Sequence, residues 1–120
     1  MKLFTEAKLL RIFIGESDKY EGRPLYRVIV ERARKRELAG ATVLRGTLGF
    51  GANSRIHTAR ILRLSEDLPM VIEIVDEPER INNFVAELNG LIKEGLVTLE
   101  KVEVILYRHN HEDQEQPAKE

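Results

Sequence analysis

The sequence predicts an α+β sandwich: a four-stranded antiparallel sheet carrying two helices on one face. Three observations predict it. Strand-like apolar runs stand at residues 9–14, 42–50, 70–75 and 99–107. Apolar residues recur at helical spacing from Leu25 to Ala33 and again from Ile81 to Ile92. The order that results, β-α-β-β-α-β, is the split βαβ arrangement of ferredoxin-like sandwiches.

In the first strand, Leu10, Ile12 and Ile14 share one face. Residues 15–23 form a polar loop with glycine near both ends. Pro24 suits the first helical turn, where its missing N–H costs nothing. Leu25, Val28, Ile29 and Ala33 follow at helical spacing, and Arg32, Arg34, Lys35 and Arg36 complement the dipole at the helix C-terminus. Gly40 is the expected stop. The second strand is expected over 42–50, and residues 60–64 fit either a returning hairpin strand or a helical turn. After the third strand, Asp76 has the position of an N-cap, with Glu79 three residues on and Pro78 between them, a capping-box variant. Ile81, Phe84, Val85, Leu88, Leu91 and Ile92 then mark the second helix, with Gly95 as its end. Residues 1–108 are read as one domain and 109–120, nearly devoid of apolar residues, as a flexible polar tail.

The strands are apolar on both sides. Leu9 and Phe13 alternate with the first strand's core residues, as do Val71 and Val75 in the third and Ile105 and Tyr107 in the last. A monomer rarely leaves such a face bare, so an oligomer that covers it is expected.

Composition narrows the function. The 120 residues carry a net charge of −1 and contain no cysteine. That balance gives no bulk attraction to nucleic acid or anionic lipid. Disulfides, thiolate nucleophiles and cysteine-based zinc sites are excluded. No run approaches a membrane span, and a soluble cytoplasmic protein is expected.

The chemistry-bearing stretch is Gly46-Thr47-Leu48-Gly49-Phe50-Gly51 with the polar segment after it. Gly49-Phe50-Gly51 either cradles a phosphate or base edge with backbone N–H groups or is a bulge at a loop entry. Arg45, Arg55, Arg60 and Arg63 flank the segment, and a guanidinium can donate two parallel hydrogen bonds to a phosphate. Arg45 and Arg60 lie nearest the loop base. His57 can stack on a base, hydrogen-bond a phosphate or bind a metal; a lone histidine is more often simply exposed. His109 and His111 form a His-x-His pair without a third ligand, so no metal site is assigned. Glu16, Asp18 and Glu21 either accept hydrogen bonds from a ribose or neighbouring subunit, or form a solvated turn. No nucleophile, base and orienting group assemble into a catalytic set, and no enzyme activity is expected.

With these motifs placed, the chain resembles the PII-like signalling proteins, and within them the branch once filed as a domain of unknown function. The likeness covers roughly residues 8–108 and rests on five runs: Gly-Glu-Ser-Asp-Lys-Tyr-Glu-Gly-Arg-Pro-Leu-Tyr (15–26), Gly-Ala-Thr-Val-Leu-Arg-Gly (40–46), Gly-Phe-Gly (49–51), Ile-His-Thr (56–58) and Asp-Leu-Pro-Met-Val-Ile-Glu-Ile-Val-Asp (67–76). The resemblance implies a homotrimer. It implies an adenine nucleotide (AMP, ADP or ATP) held in clefts between subunits, with no cofactor required. It also implies a target protein, a membrane transporter or an enzyme, reached through the 50–60 loop, and no nucleic-acid partner. It places Gly49, Phe50 and Gly51 at such a cleft; together with Arg45, Gly46, His57 and Arg60, chosen for their chemistry and position at the loop base, these are the expected ligand-binding residues. Two departures stand out. Met70 occupies the place of a PII lysine, and the turn at 93–98 lacks the glycine- and basic-rich phosphate grip of PII proteins. A less charged nucleotide or a different grip is expected. The alternative of another class is a CutA-type trimeric metal-tolerance or scaffold protein.

Overall fold

The computed structural model describes residues 6–50 and 67–109. Its elements are β1 (Glu6–Gly15), β2 (Lys19–Tyr20), β3 (Arg23–Pro24), α1 (Leu25–Lys35), β4 (Thr42–Arg45), β5 (Pro69–Asp76), α2 (Pro78–Leu88) and β6 (Leu96–Glu103). The main sheet has the order β4-β5-β1-β6, with every neighbouring pair antiparallel. This is the ferredoxin-like arrangement expected from the element order. β1 and β5 are the two inner strands, each with a face of alternating buried apolar residues; β5 pairs with one edge of β1 and β6 with the other.

Alternation divides the sheet cleanly. Leu10, Ile12, Ile14, Met70, Ile72 and Ile74 are buried under the helices, against Leu25, Val28, Ile29 and Ala33 of α1 and Ile81, Phe84 and Leu88 of α2. The register places the opposite face in transverse rows, one residue per strand. Leu96, Phe13, Val71 and Leu44 make an apolar row. Beside it lies a polar row, Thr98, Arg11, Glu73 and Thr42, in which Arg11 Nε donates to Glu73 Oε2 at 2.9 Å. Leu96 and Leu44 are about half exposed, at 56% and 49%.

Several boundaries differ from the sequence reading. The 15–23 loop contains the two-residue β2–β3 hairpin, turned by Glu21 and Gly22 at φ 51° and 82°. Positive φ at both central residues is the turn that matches strand twist. Pro24 caps α1 from outside instead of lying in its first turn. α1 stops at Lys35, before Gly40. Leu38 N–H donates to the Ala33 carbonyl and Glu37 N–H to that of Arg34, while Glu37 takes a left-handed φ of 60°. These bonds satisfy the last carbonyls in a Schellman motif, with glutamate where glycine is usual.

β4 ends at Arg45, well short of Phe50. Its last ladder bond runs from Gly46 N–H to the Pro69 carbonyl at 2.7 Å, and Pro69 has no N–H with which to continue the pairing. α2 stops at Leu88; Leu91 and Ile92 pack on the core from the turn that follows. Gly95 therefore does not end the helix. It leads into β6, and a Cβ there would stand 2.8 Å from the Phe13 carbonyl oxygen. That close approach starts β6 at Leu96, three residues earlier than expected, and the strand ends at Glu103. Ile105 and Tyr107 thus leave the sheet, and the open face is built without them. Asp76, expected as an N-cap, is the last residue of β5; Glu77 is the cap residue and makes no side-chain cap bond.

The C-terminal half of α1 is tied to α2 through Glu87, which accepts from Arg32 at 2.6 Å and Arg36 at 2.5 Å. Burial pushes the Glu87 carboxyl up, but the hydrogen bonds and charges of the two guanidinium groups outweigh it and hold the group below the usual carboxylate range. The stability it contributes is therefore present above the ordinary carboxylate pKa and lost as the pH falls through the depressed value. Glu87→Gln is expected to cost about 1–2 kcal/mol at neutral pH and little in acid. Denaturant midpoints of both proteins at the two pH values measure the difference; an equal gap in acid would remove Glu87 from the acid transition.

Candidate functional site

The two ends from which residues 51–66 depart are held on one frame, at the end of the sheet where β4 finishes and β5 starts. Gly46 lies against Pro69 so closely that a Cβ would sit 2.7 Å from Pro69 Cγ. Gly49 lies over the same ring, with a Cβ placed at 3.1 Å. A side chain at Gly46 would push the rigid proline ring away and strain the bond between Gly46 and the Pro69 carbonyl. Glycine is required here for close approach, not for backbone freedom.

On the other side, the loop after β1 grips the start of β5. Glu16 N–H donates to the Leu68 carbonyl at 2.8 Å. Ser17 donates twice to Asp67 Oδ1, from its N–H at 3.2 Å and its hydroxyl at 2.8 Å. A Cβ on Gly15 would stand 2.6 Å from the same oxygen. Arg45 completes the frame, its guanidinium 2.8 Å from Glu16 Oε2.

Of the residues singled out in the sequence, the structure brings Arg45, Gly46 and Gly49 together around Pro69. Phe50 follows them and is 75% exposed. Gly51, His57 and Arg60 lie outside the described residues, as do Arg55 and Arg63. The acidic trio of the first loop separates into three roles. Glu16 pairs with Arg45, Asp18 Oδ2 accepts from Gly15 N–H at 2.9 Å, and Glu21 sits exposed in the β2–β3 turn. Sequence reasoning missed Ser17 and Asp67. Their only signal was a polar residue directly before Leu68-Pro69, and their contact spans 50 residues.

A cavity of about 670 Å³ lies at the opposite end of the open face, between Ala39, Gly40, Ala41, Thr42, Glu73 and Val75 and the segment 102–107. None of the predicted site residues lines it. Among the described residues no three His, Cys, Asp or Glu side chains cluster as a metal site, and no helix is long and apolar enough to cross a membrane.

A model of the family DUF190, described as an uncharacterized ACR, matches residues 7–104. The chain belongs to the DUF190 family. A UPF0166 protein of Aquifex aeolicus (strain VF5) is 47% identical to this DUF190 chain over 101 residues, which is 84% of the chain and 95% of the relative. A UPF0166 protein of Methanocaldococcus jannaschii is 38% identical over 95 residues, 78% of the chain and 87% of the relative. Two solved structures of CPII from Thiomonas intermedia K12 share the fold. One is bound to ADP, AMP and acetate, with a TM-score of 0.61 at 13% identity over 83% of this chain and 89% of CPII. The other, described as a nitrogen regulatory PII-like protein, is bound to ADP, AMP and bicarbonate, with a TM-score of 0.61 at 14% identity over 82% and 88%. At such identity the likeness is one of fold. This DUF190 chain therefore shares the fold of CPII, the fold that the resemblance in its sequence implies.

Proposed function

We propose that this DUF190 protein is a non-enzymatic, homotrimeric regulator of one domain. In this reading it takes an adenine nucleotide at the loop base, between subunits, and passes the outcome to a target protein through the segment beginning at Phe50. The observation that carries the reading is the frame around Pro69. It fixes both ends of a long segment at one point and places Arg45 and two close-packed glycines beside it. A rigid base under a long insertion suits a ligand-gated docking element. CPII, which shares the fold, carries adenine nucleotides, and the apolar row Leu96–Phe13–Val71–Leu44 supplies a reason for copies to associate.

A thermal-shift series with AMP, ADP, ATP and adenosine tests the reading. Ligand at about a hundred times its dissociation constant is expected to stabilise the protein by about 2.7 kcal/mol. With Met70 in place of a lysine and a plain turn at 93–98, ATP is not expected to exceed ADP or AMP greatly. No shift with any of them at millimolar concentration would overturn the nucleotide assignment.

A further inference from the structure

We infer that Glu16 sets the charge preference of the loop-base site by competing with a ligand's phosphate for Arg45. The inference rests on the nucleotide-binding reading above and names a residue which that reading leaves out.

Arg45 ends β4 and its side chain is 55% exposed, yet it is already engaged by Glu16 Oε2 at 2.8 Å. Glu16 is held for that contact from behind. Its side chain is 25% exposed, and its own N–H is fixed to the Leu68 carbonyl. The neighbouring carboxylates have other partners: Asp18 holds Gly15 N–H and Asp67 holds Ser17. Glu16 is thus the carboxylate whose work at the loop base is to neutralise the guanidinium.

A phosphate approaching Arg45 offers what Glu16 does not use here, a second oxygen for the parallel donors of the guanidinium fork. The pair that must be broken is solvent-exposed on the arginine side, and exposed pairs are weak. A phosphate therefore wins, at a small and measurable loss of affinity. A nucleoside without phosphate has no such competition to meet. Because the main chain of Glu16 stays bound to Leu68, its displaced carboxylate remains beside the start of β5, and the swap is made at the root of the segment.

Calorimetric titration of the full chain with ADP and with adenosine tests this, for wild type, Glu16→Gln, Arg45→Gln and the double variant. Glu16→Gln is expected to tighten ADP about two- to fivefold, the span of an exposed ion pair, and to leave adenosine unchanged. In the Arg45→Gln background the same change should do nothing, since the competition has lost its object. Glu16→Asp keeps the charge and shortens the reach; it should fall on the Glu16→Gln side and serves if that variant folds poorly. Equal tightening of adenosine, or a Glu16→Gln effect that survives Arg45→Gln, would overturn the inference while the site stands. Absence of binding by either ligand to all four proteins would overturn the nucleotide reading itself, and the competition with it.

Discussion

Phe13→Asp is expected to leave each chain folded and to abolish the proposed trimer. Phe13 stands at the centre of the apolar row, opposite Val71 on one side and Leu96 on the other, with Leu44 beyond Val71. Its neighbours in sequence, Ile12 and Ile14, point to the opposite face and are buried beneath the helices. The substitution therefore spares the core. In a trimer that covers this face, each of the row's side chains contributes roughly 1.5–3 kcal/mol by leaving water. An unpaired carboxylate at the centre of each copy's row adds a desolvation cost of several kcal/mol. The two effects act in the same direction in every subunit, so dissociation at micromolar concentration should be complete. Sedimentation of wild type and variant measures it, with Asn83→Asp, on the exposed side of α2, as the control that should remain assembled. A wild-type monomer, or a Phe13→Asp trimer, would remove the covered face and with it the clefts between subunits.

That face was legible in the sequence only in part. The alternation of β1 and β5 has one reading, because period two separates Leu9 and Phe13 from Leu10, Ile12 and Ile14 whatever packs on them. The two helical stripes were equally plain. β6 was not, since its frame is set by Gly95 passing under the Phe13 carbonyl, a contact between distant parts of the chain. Without it, a strand running to Tyr107 has as good an alternation as one ending at Glu103. β4 was over-long for a related reason. Thr47 to Phe50 look extended, but the strand they would pair with begins at a proline. At the site, the glycines and Arg45 announced themselves by residue type. Their partners did not. Glu16 and Asp67 are ordinary acidic loop residues until the fold sets one on Arg45 and the other on Ser17.

Asp76→Ala is expected to cost about 3–5 kcal/mol, among the largest effects of any single polar side chain here. The carboxylate is fully buried. Oδ2 accepts from Ala39 N–H at 2.8 Å and Oδ1 from Glu77 N–H at 2.7 Å. Arg80 Nε approaches Oδ2 at 3.3 Å, and the same guanidinium donates to the Glu37 carbonyl. One side chain thus joins the end of β5, the first turn of α2 and the connection that carries the chain from α1 to β4. Removing it leaves two N–H groups without their acceptor and an arginine without its counter-charge. Asp76→Asn keeps one acceptor oxygen and should lose about half as much. Glu79→Ala separates this account from a capping box. A capping partner would lose stability together with Asp76, whereas an exposed first-turn glutamate contributes only about 0.3–1 kcal/mol through the helix dipole. Urea midpoints of the three variants decide between them. A Glu79→Ala loss as large as that of Asp76→Ala would return Asp76 to the helix terminus. A small one assigns it to the clasp, and the Ala39–Ala41 wall of the open-face cavity should then loosen in Asp76→Ala, read as faster amide exchange at Ala39 and Gly40.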